Sequence, residues 1–475
     1  MPNIKVIPGP SVDDERTALS DESEIQRLTS RGMGLRAQGR HLEAARSLAE
    51  AAEMLPAQWL PQFNAGAVFL EANGIDEAIR FFERALQLHP FAGGYTACAH
   101  ALALRGDMPA SRAMYERAAS LAPTDFAAHW GLFEVNQLLG DNAAALKNQA
   151  LALAERSIVS IEAQRRPAST TLLELCIAGT FQANIPLDFI LNRDTVTVHK
   201  LYVGEYPIPQ PLPPYDIVFN TIADAPNAGA ALRAAQTFIA GQDRPALNAP
   251  EHVPLTSRDA VAARFANSKT VAVAKTLRAN RMTIRAARPP YPFLIRPLDS
   301  HAGNDLERID GGDSLAAYLE SVTHEDFYLT AFVDYRNADG YYRKYRIVFV
   351  DGVAYPVHLA ISPRWMIHYY NAAMAENAWM RDEEHAFMRD LDSVFTGVLA
   401  QGLEEIARGI PLDYFGIDCS IAPDGRVLLF EASSAMIVHM RDPVDLYPYK
   451  VKYVPRVIAA LERLFDKRLG REAQS

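Results

Sequence analysis

Cysteine is nearly absent: Cys98, Cys176 and Cys419 are the whole set, odd in number and far apart. That excludes a disulfide framework and points to a reducing compartment. No apolar run approaches the ~18 residues that a membrane-spanning helix requires. The opening Met1-Pro-Asn-Ile-Lys-Val-Ile-Pro-Gly-Pro has no signal-peptide core. Basic residues are outnumbered, with 47 Lys and Arg against 57 Asp and Glu and a net charge of -10, which argues against a general nucleic-acid binder. There is no Gly-x-Ser-x-Gly elbow, no Gly-x4-Gly-Lys-Ser/Thr loop and no His-Glu-x-x-His, and the histidines show no zinc spacing. What remains is a soluble cytoplasmic protein with no nucleic-acid or membrane partner. Its 475 residues are enough for two to four domains.

Residues 1–22 are rich in Pro, Ser and Asp and read as a disordered lead-in. A period then emerges. Small residues recur in pairs seven apart, at Ala44/Ala51, Ala78/Ala85, Ser111/Ala118 and Ala145/Ala152, with first members 34, 33 and 34 residues apart. Pro56, Pro90 and Pro123 follow three of the pairs; Gly39, Gly74, Gly106 and Gly140 precede them. Small residues allow close helix approach, glycine makes the tight turn, and proline ends the second helix. Each unit is therefore a helical hairpin. The pattern resembles the tetratricopeptide repeat, in about four units over residues 23–160. Such solenoids present a face to a peptide or protein. Trp59, Phe63, Phe69, Tyr95 and Trp130 read mostly as packing between helices.

After Arg165-Arg-Pro the texture changes. Stretches beginning at Thr171, Val196 and Tyr215 read as strands and Ala225–Ala240 as a helix, which suggests a parallel α/β domain over 168–255. Asp224 and Asn227 sit just past a strand end, where ligands of such sheets bind; loop capping is an equal alternative.

Residues 256–470 carry the chemistry. Thr256-Ser-Arg-Asp reads as a helix start, and Thr270–Leu277 as a strand. The strand Tyr291-Pro-Phe-Leu-Ile-Arg296 delivers a cation into a small, polar stretch that contains Ser300, His301, Gly303 and Asn304. That is a recipe for a phosphate-holding loop. A second strand, Phe327–Asp334, precedes a hairpin turning at Asp351-Gly352. This turn places Lys344 and Arg346 on one face with Val357 and Leu359, and Arg343, Tyr345 and His358 on the other. Two inward cations call for anionic company, such as a polyphosphate or structural salt bridges.

A last hairpin runs from Tyr414 through Pro423-Asp424-Gly425 to Met436. Centring its turn on Asp424-Gly425 sets Asp418 opposite Glu431. Facing carboxylates repel unless a cation lies between them, and oxygen-only ligands favour Mg2+.

This order of parts resembles the ATP-grasp superfamily, which includes D-alanine–D-alanine ligase and the glutamate ligases that modify ribosomal protein tails. The resemblance spans roughly residues 170–470. It implies ATP and Mg2+ as cofactors. By this likeness Arg296 stands where the family has a phosphate-binding lysine, with Ser300 and Gly303 in its loop. Leu329–Asp334 is the hinge, with Phe332 and Val333 at the adenine and Asp334 near the ribose. Lys344 and Arg346 lie at the phosphates, with Arg296 and Arg346 as catalytic residues. The family's usual Glu-x-Asn ending stands here as Glu431-Ala-Ser433, making Asp418, Glu431 and Ser433 the metal ligands. The family's second arginine has no evident match; His358 and Arg364 are candidates. Ser362–Asn371 either lines an acceptor pocket or packs over the sheet, and Val438–Pro443 follows the metal hairpin, where relatives contact substrate.

The expected architecture is an all-α helical-repeat solenoid followed by an α/β pre-ATP-grasp domain and an α+β ATP-grasp domain. The implied activity joins a carboxylate to an amine or thiol acceptor through an acyl phosphate, on a peptide or protein recruited by the repeats. The alternative is a repeat-based scaffold whose ATP-grasp domain binds nucleotide with little turnover.

Overall fold

The computed structural model describes residues 12–179, 182–223, 227–298, 300, 303, 305–367 and 372–471. It divides into two compact units, Met1–Arg156 and Ser157–Ser475.

Among the described residues the first unit is eight consecutive helices: α1 (Val12–Ala37), α2 (His41–Met54), α3 (Trp59–Glu71), α4 (Ile75–Leu88), α5 (Ala92–Arg105), α6 (Met108–Leu121), α7 (Phe126–Leu138) and α8 (Asn142–Glu155). They pack as successive pairs, α1 with α2 through α7 with α8. All eight recurring small residues are buried, and Ser111 Oγ donates to the Ala99 carbonyl at 2.7 Å. Pro56, Pro90 and Pro123 each follow a helix end, and Asp107, Asp125 and Asp141 cap the starts of α6, α7 and α8. The turns use left-handed glycine at Gly39, Gly106 and Gly140. In the remaining turn Asn73 takes that conformation in place of Gly74; Gly74 lies four residues before Ala78, where the other three glycines lie five before their pairs. A second glycine role escaped the pattern. A Cβ on Gly66 would lie 2.8 Å from the Phe82 ring, and one on Gly131 2.2 Å from Tyr115. Trp59 stacks on His89, and Phe63 and Phe69 meet Phe82 and Phe81, so these aromatics pack between helices. Helix α1 also takes in residues 12–22 of the expected lead-in; residues 1–11 lie outside the described residues.

Among the described residues the second unit holds three sheets. In chain order its elements are β1 (Ile158–Ile161), β2 (Thr170–Cys176), β3 (Val196–Tyr202), β4 (Ile217–Asn220), α9 (Gly229–Ala240), β5 (Ala246–Leu247), α10 (Arg258–Phe265), β6 (Val271–Val273), β7 (Thr276–Asn280), α11 (Ile284–Ala287), β8 (Phe293–Pro297), β9 (Glu307–Ile309), α12 (Gly312–Ser321), β10 (Asp326–Ala331), β11 (Tyr342–Val350), β12 (Val353–Ser362), α13 (Ala378–Arg389), α14 (Val398–Gly409), β13 (Tyr414–Ile421), β14 (Val427–Ser433), α15 (Lys450–Tyr453) and α16 (Pro455–Arg468).

The first sheet, β1-β3-β2-β4-β5, is parallel from β3 to β5, as its near-continuous apolar strands require. Its antiparallel edge strand β1 places residues 158–161 in this unit, so the repeat unit ends before the expected residue 160. The second sheet, β7-β10-β8-β9, is antiparallel. The third, β12-β11-β13-β14-β6, is antiparallel except for β6. The stretch expected as one strand at Thr270–Leu277 is divided between β6 and β7, in different sheets.

Candidate functional site

The second and third sheets, α10 and the loop after β14 line a cavity of about 890 Å³. That is at the upper end of the range for small-ligand sites, roughly 300–1,000 Å³. Nine of the eleven sequence-predicted site residues line it: Arg296, Gly303, Phe332, Val333, Lys344, Arg346, Asp418, Glu431 and Ser433. Ser300 is one layer back, where its Oγ accepts from Arg296 Nε at 3.1 Å. Asp334 is exposed beyond the end of β10, accepts from the Arg336 amide at 3.1 Å and does not line the cavity. The strand expected to carry it ends three residues earlier, at Ala331.

Register explains who meets whom. In the last hairpin the turn is one residue tighter than expected, and Cys419 pairs with Leu429. A bulge at Phe430 then restores the expected partner, so Asp418 faces Glu431. In the preceding hairpin the pairs nearest the turn, such as Val348 with Tyr355, are as expected. A shift past Ile347 and Pro356 changes the rest: Arg346 faces His358, not Val357, and Lys344 faces Ala360, not Leu359. Pro356 has no N–H to give the ladder, and β12 is the edge strand, where proline and bulges are tolerated. The slip brings His358 to the cavity wall, while Arg343 turns away to Glu383 and Asp339.

Four cations and two carboxylates converge here. Arg346 grips Asp418 with two bonds, Nε to Oδ1 at 2.8 Å and Nη2 to Oδ2 at 3.1 Å, and Lys344 Nζ lies 3.2 Å from Oδ2. Burial opposes ionisation of Asp418, but Arg346 and Lys344 outweigh it and hold the carboxyl well below its usual range. Arg258, at the start of α10, pairs with Glu431 at 2.7 Å. Glu431 is likewise held low against burial by Arg258 and Arg296. Arg296 is 8% exposed and has no carboxylate partner among the described residues. Burial, with Arg258 beside it, pushes its guanidinium down to about 10. The set carries two more positive than negative charges, so it suits an anionic ligand.

The second unit is similar to a D-Ala:D-Ser ligase. That structure, VanG from Enterococcus faecalis, is 12% identical, with 62% of this chain and 99% of that chain covered and a TM-score of 0.39. The helical unit is similar to MamA, at 18% identity over 30% of this chain and 85% of that chain, with a TM-score of 0.27. It is also similar to the first TPR of Spaghetti bound to an HSP90 peptide, at 19% identity over 25% and 94% of the two chains, with a TM-score of 0.24. No family model and no curated protein matches the chain.

On one wall, Phe332 and Trp365 meet edge to face at 5.7 Å, and the Tyr335 hydroxyl donates to the Trp365 carbonyl at 3.0 Å. Another wall is built on Glu384, a fully buried carboxylate on α13. It accepts from the Leu359 amide at 3.2 Å and the Tyr449 hydroxyl at 2.5 Å, pairs with Lys450 at 3.3 Å, and contacts His358 Nδ1. Burial works against its charge, yet these partners hold it down at about 2. Lys450, 4% exposed, also reaches Asp442 at 3.0 Å. Sequence reading missed Arg258, Glu384 and Lys450. Arg258 directly follows the helix N-cap Ser257, but nothing local ties it to a hairpin far along the chain.

Of the two candidates for a second arginine, His358 lines the cavity; Arg364 is exposed in a separate hollow of about 350 Å³ with Arg308 and Arg336. Asp224, His301, Asn304 and residues 368–371 lie outside the described residues. Among the described residues, no three of His, Cys, Asp and Glu converge to hold a metal ion. At the last hairpin the cavity instead offers Asp418, Glu431 and the Ser433 hydroxyl, which accepts from the Ala435 amide at 3.1 Å. Such a sparse, oxygen-only set fits Mg2+, which keeps its other positions for water and phosphate oxygens.

Proposed function

We propose that the second unit is an ATP- and Mg2+-dependent ligase that joins a carboxylate to an amine or thiol. The observation that carries this reading is the positive surplus of Arg258, Arg296, Lys344 and Arg346 over Asp418 and Glu431 on one cavity. These cations hold the triphosphate, Ser300 positions Arg296, and Phe332, Val333 and Trp365 enclose the base. Asp418, Glu431 and Ser433 would hold Mg2+, which when bound neutralises phosphate charge. A substrate carboxylate oxygen attacks the γ-phosphorus and the bond to the bridging oxygen breaks, giving an acyl phosphate and ADP. Arg296 and Arg346 stabilise the charge on the transferred group. The acceptor then attacks the acyl carbon, loses its proton to solvent, and phosphate leaves. The room beside His439, Asp442 and Lys450 accommodates the second substrate.

The chain works in the cytoplasm on this reading, in keeping with three buried, unpaired cysteines. The helical unit recruits a peptide or protein. Among the described residues no helix is long and apolar enough to cross a membrane.

A second reading is favoured by one observation: both oxygens of Asp418 are already engaged by Arg346. It describes a nucleotide-binding scaffold with little turnover. Purified protein with ATP, Mg2+ and pools of amino acids and peptides separates the two, with hydroxylamine added to trap acyl phosphate. The ligase reading expects hydroxamate together with ADP; nucleotide binding with neither product supports the scaffold.

A further inference from the structure

The two carboxylates and the phosphate-binding cations are not independent sets. Asp418 is held through both oxygens by Arg346 and touched by Lys344; Glu431 is held by Arg258. Asp418 is 4% exposed, so its ion pairs are shielded from solvent and stronger than surface pairs. The only cation of the four that is free of a carboxylate, among the described residues, is Arg296. A triphosphate entering alone must therefore take Arg346, Lys344 and Arg258 away from Asp418 and Glu431. It would also leave the buried Asp418 carboxylate and the half-buried Glu431 uncompensated, which is costly, most of all at Asp418. A divalent cation entering alone faces the opposite difficulty: its ligands are already neutralised, and the cavity carries a positive surplus.

Resting on the nucleotide reading of this cavity, we infer that Asp418 and Glu431 act as internal competitors of the triphosphate. They make the site reject free nucleotide and free metal and accept the two only together. The carboxylates pass to the metal and the arginines and lysine pass to the phosphates, so every buried charge keeps a partner. Selection against metal-free ATP is thus a function of the same two residues that serve as metal ligands.

The consequence has an unusual sign. Without a divalent cation, removing the negative charge of a competitor releases its cations and tightens nucleotide binding. The test is calorimetric titration of the full-length protein with the non-hydrolysable analogue adenosine 5′-(β,γ-imido)triphosphate, in EDTA and in Mg2+, for wild type, Asp418→Asn and Glu431→Gln. Each variant should bind the analogue at least fivefold more tightly than wild type in EDTA and at least tenfold more weakly than wild type in Mg2+. Glu431→Gln, less buried, gives the answer if Asp418→Asn does not fold. Variants that bind the analogue in EDTA no better than wild type would overturn the inference. So would Mn2+ binding at micromolar concentration to wild type without nucleotide, read by electron paramagnetic resonance. Wild type that binds the analogue in neither condition removes the nucleotide reading and this inference together. If binding behaves as described but no hydroxamate forms, the ligase reading alone falls.

Discussion

Asp418 and Glu431 face each other across β13 and β14 because two one-residue displacements cancel: the turn is tighter by one, and a bulge at Phe430 adds one back. The bulge residue is part of the wall, its ring 4.8 Å from Tyr335. The same segment therefore sets the carboxylate pair and closes the cavity beside it.

Arg296 is the cation least compensated by the protein, so it should contribute most cleanly to phosphate binding. Arg296→Ala is expected to weaken ATP at least tenfold, or about 1.4 kcal/mol. Arg296→Lys should recover much of that loss, because a point charge still serves a phosphate. Titration calorimetry in Mg2+ checks both; equal losses for Ala and Lys would show that the fork geometry matters more than the charge.

If Phe332 and Trp365 enclose the base, Trp365→Ala weakens ATP but leaves inorganic tripolyphosphate unchanged. Competition between the two ligands reads the difference. Equal weakening of both would place Trp365 in support of the cation cluster instead.

Much of this was legible in the sequence, and the exceptions share a cause. Periods and turns are local, so the repeat and both hairpins could be read directly; the facing of Asp418 and Glu431 matched because a bulge offset the tighter turn. Bulges are one-residue decisions settled by the neighbouring strand: the one at Phe430 offset the tighter turn and so kept the expected carboxylate pairing, whereas the slip past Pro356 moved His358 to the cavity. The division of Thr270–Leu277 between β6 and β7 is likewise a tertiary event, since each half pairs with a different sheet. Arg258 and Lys450 meet their partners only through long-range folding, and no spacing announces them.

Glu384 joins α13, β12 and the segment before α15 through one buried carboxylate. Glu384→Gln should destabilise the protein at pH 7 by about 1–3 kcal/mol, because it leaves Lys450 with Asp442 alone and weakens the bonds to the Leu359 amide and the Tyr449 hydroxyl. The folded-state pKa is depressed, to about 2 from the usual 4.5, so its stabilisation is present above pH 4.5 and is lost as pH falls through that window. Thermal unfolding between pH 7 and pH 3 should show the gap between wild type and variant narrowing on the acid side. A constant gap would contradict the assignment.

In the helical unit two glycine substitutions should have opposite signs. Gly131→Ala drives a methyl into Tyr115 and should cost about 1–3 kcal/mol. Gly34→Ala, on α1 with nothing within 4 Å, should stabilise by about 0.4–1 kcal/mol. Circular dichroism melting curves decide both.

The central claim is that a carboxylate oxygen attacks the γ-phosphorus of ATP in this cavity. It is tested most directly with ¹⁸O-labelled carboxylates, supplied as amino-acid and peptide pools with ATP and Mg2+, and mass analysis of the released phosphate. The account predicts one ¹⁸O atom transferred from carboxylate to phosphate with each ADP formed. Phosphate whose new oxygen comes from water alone would contradict it.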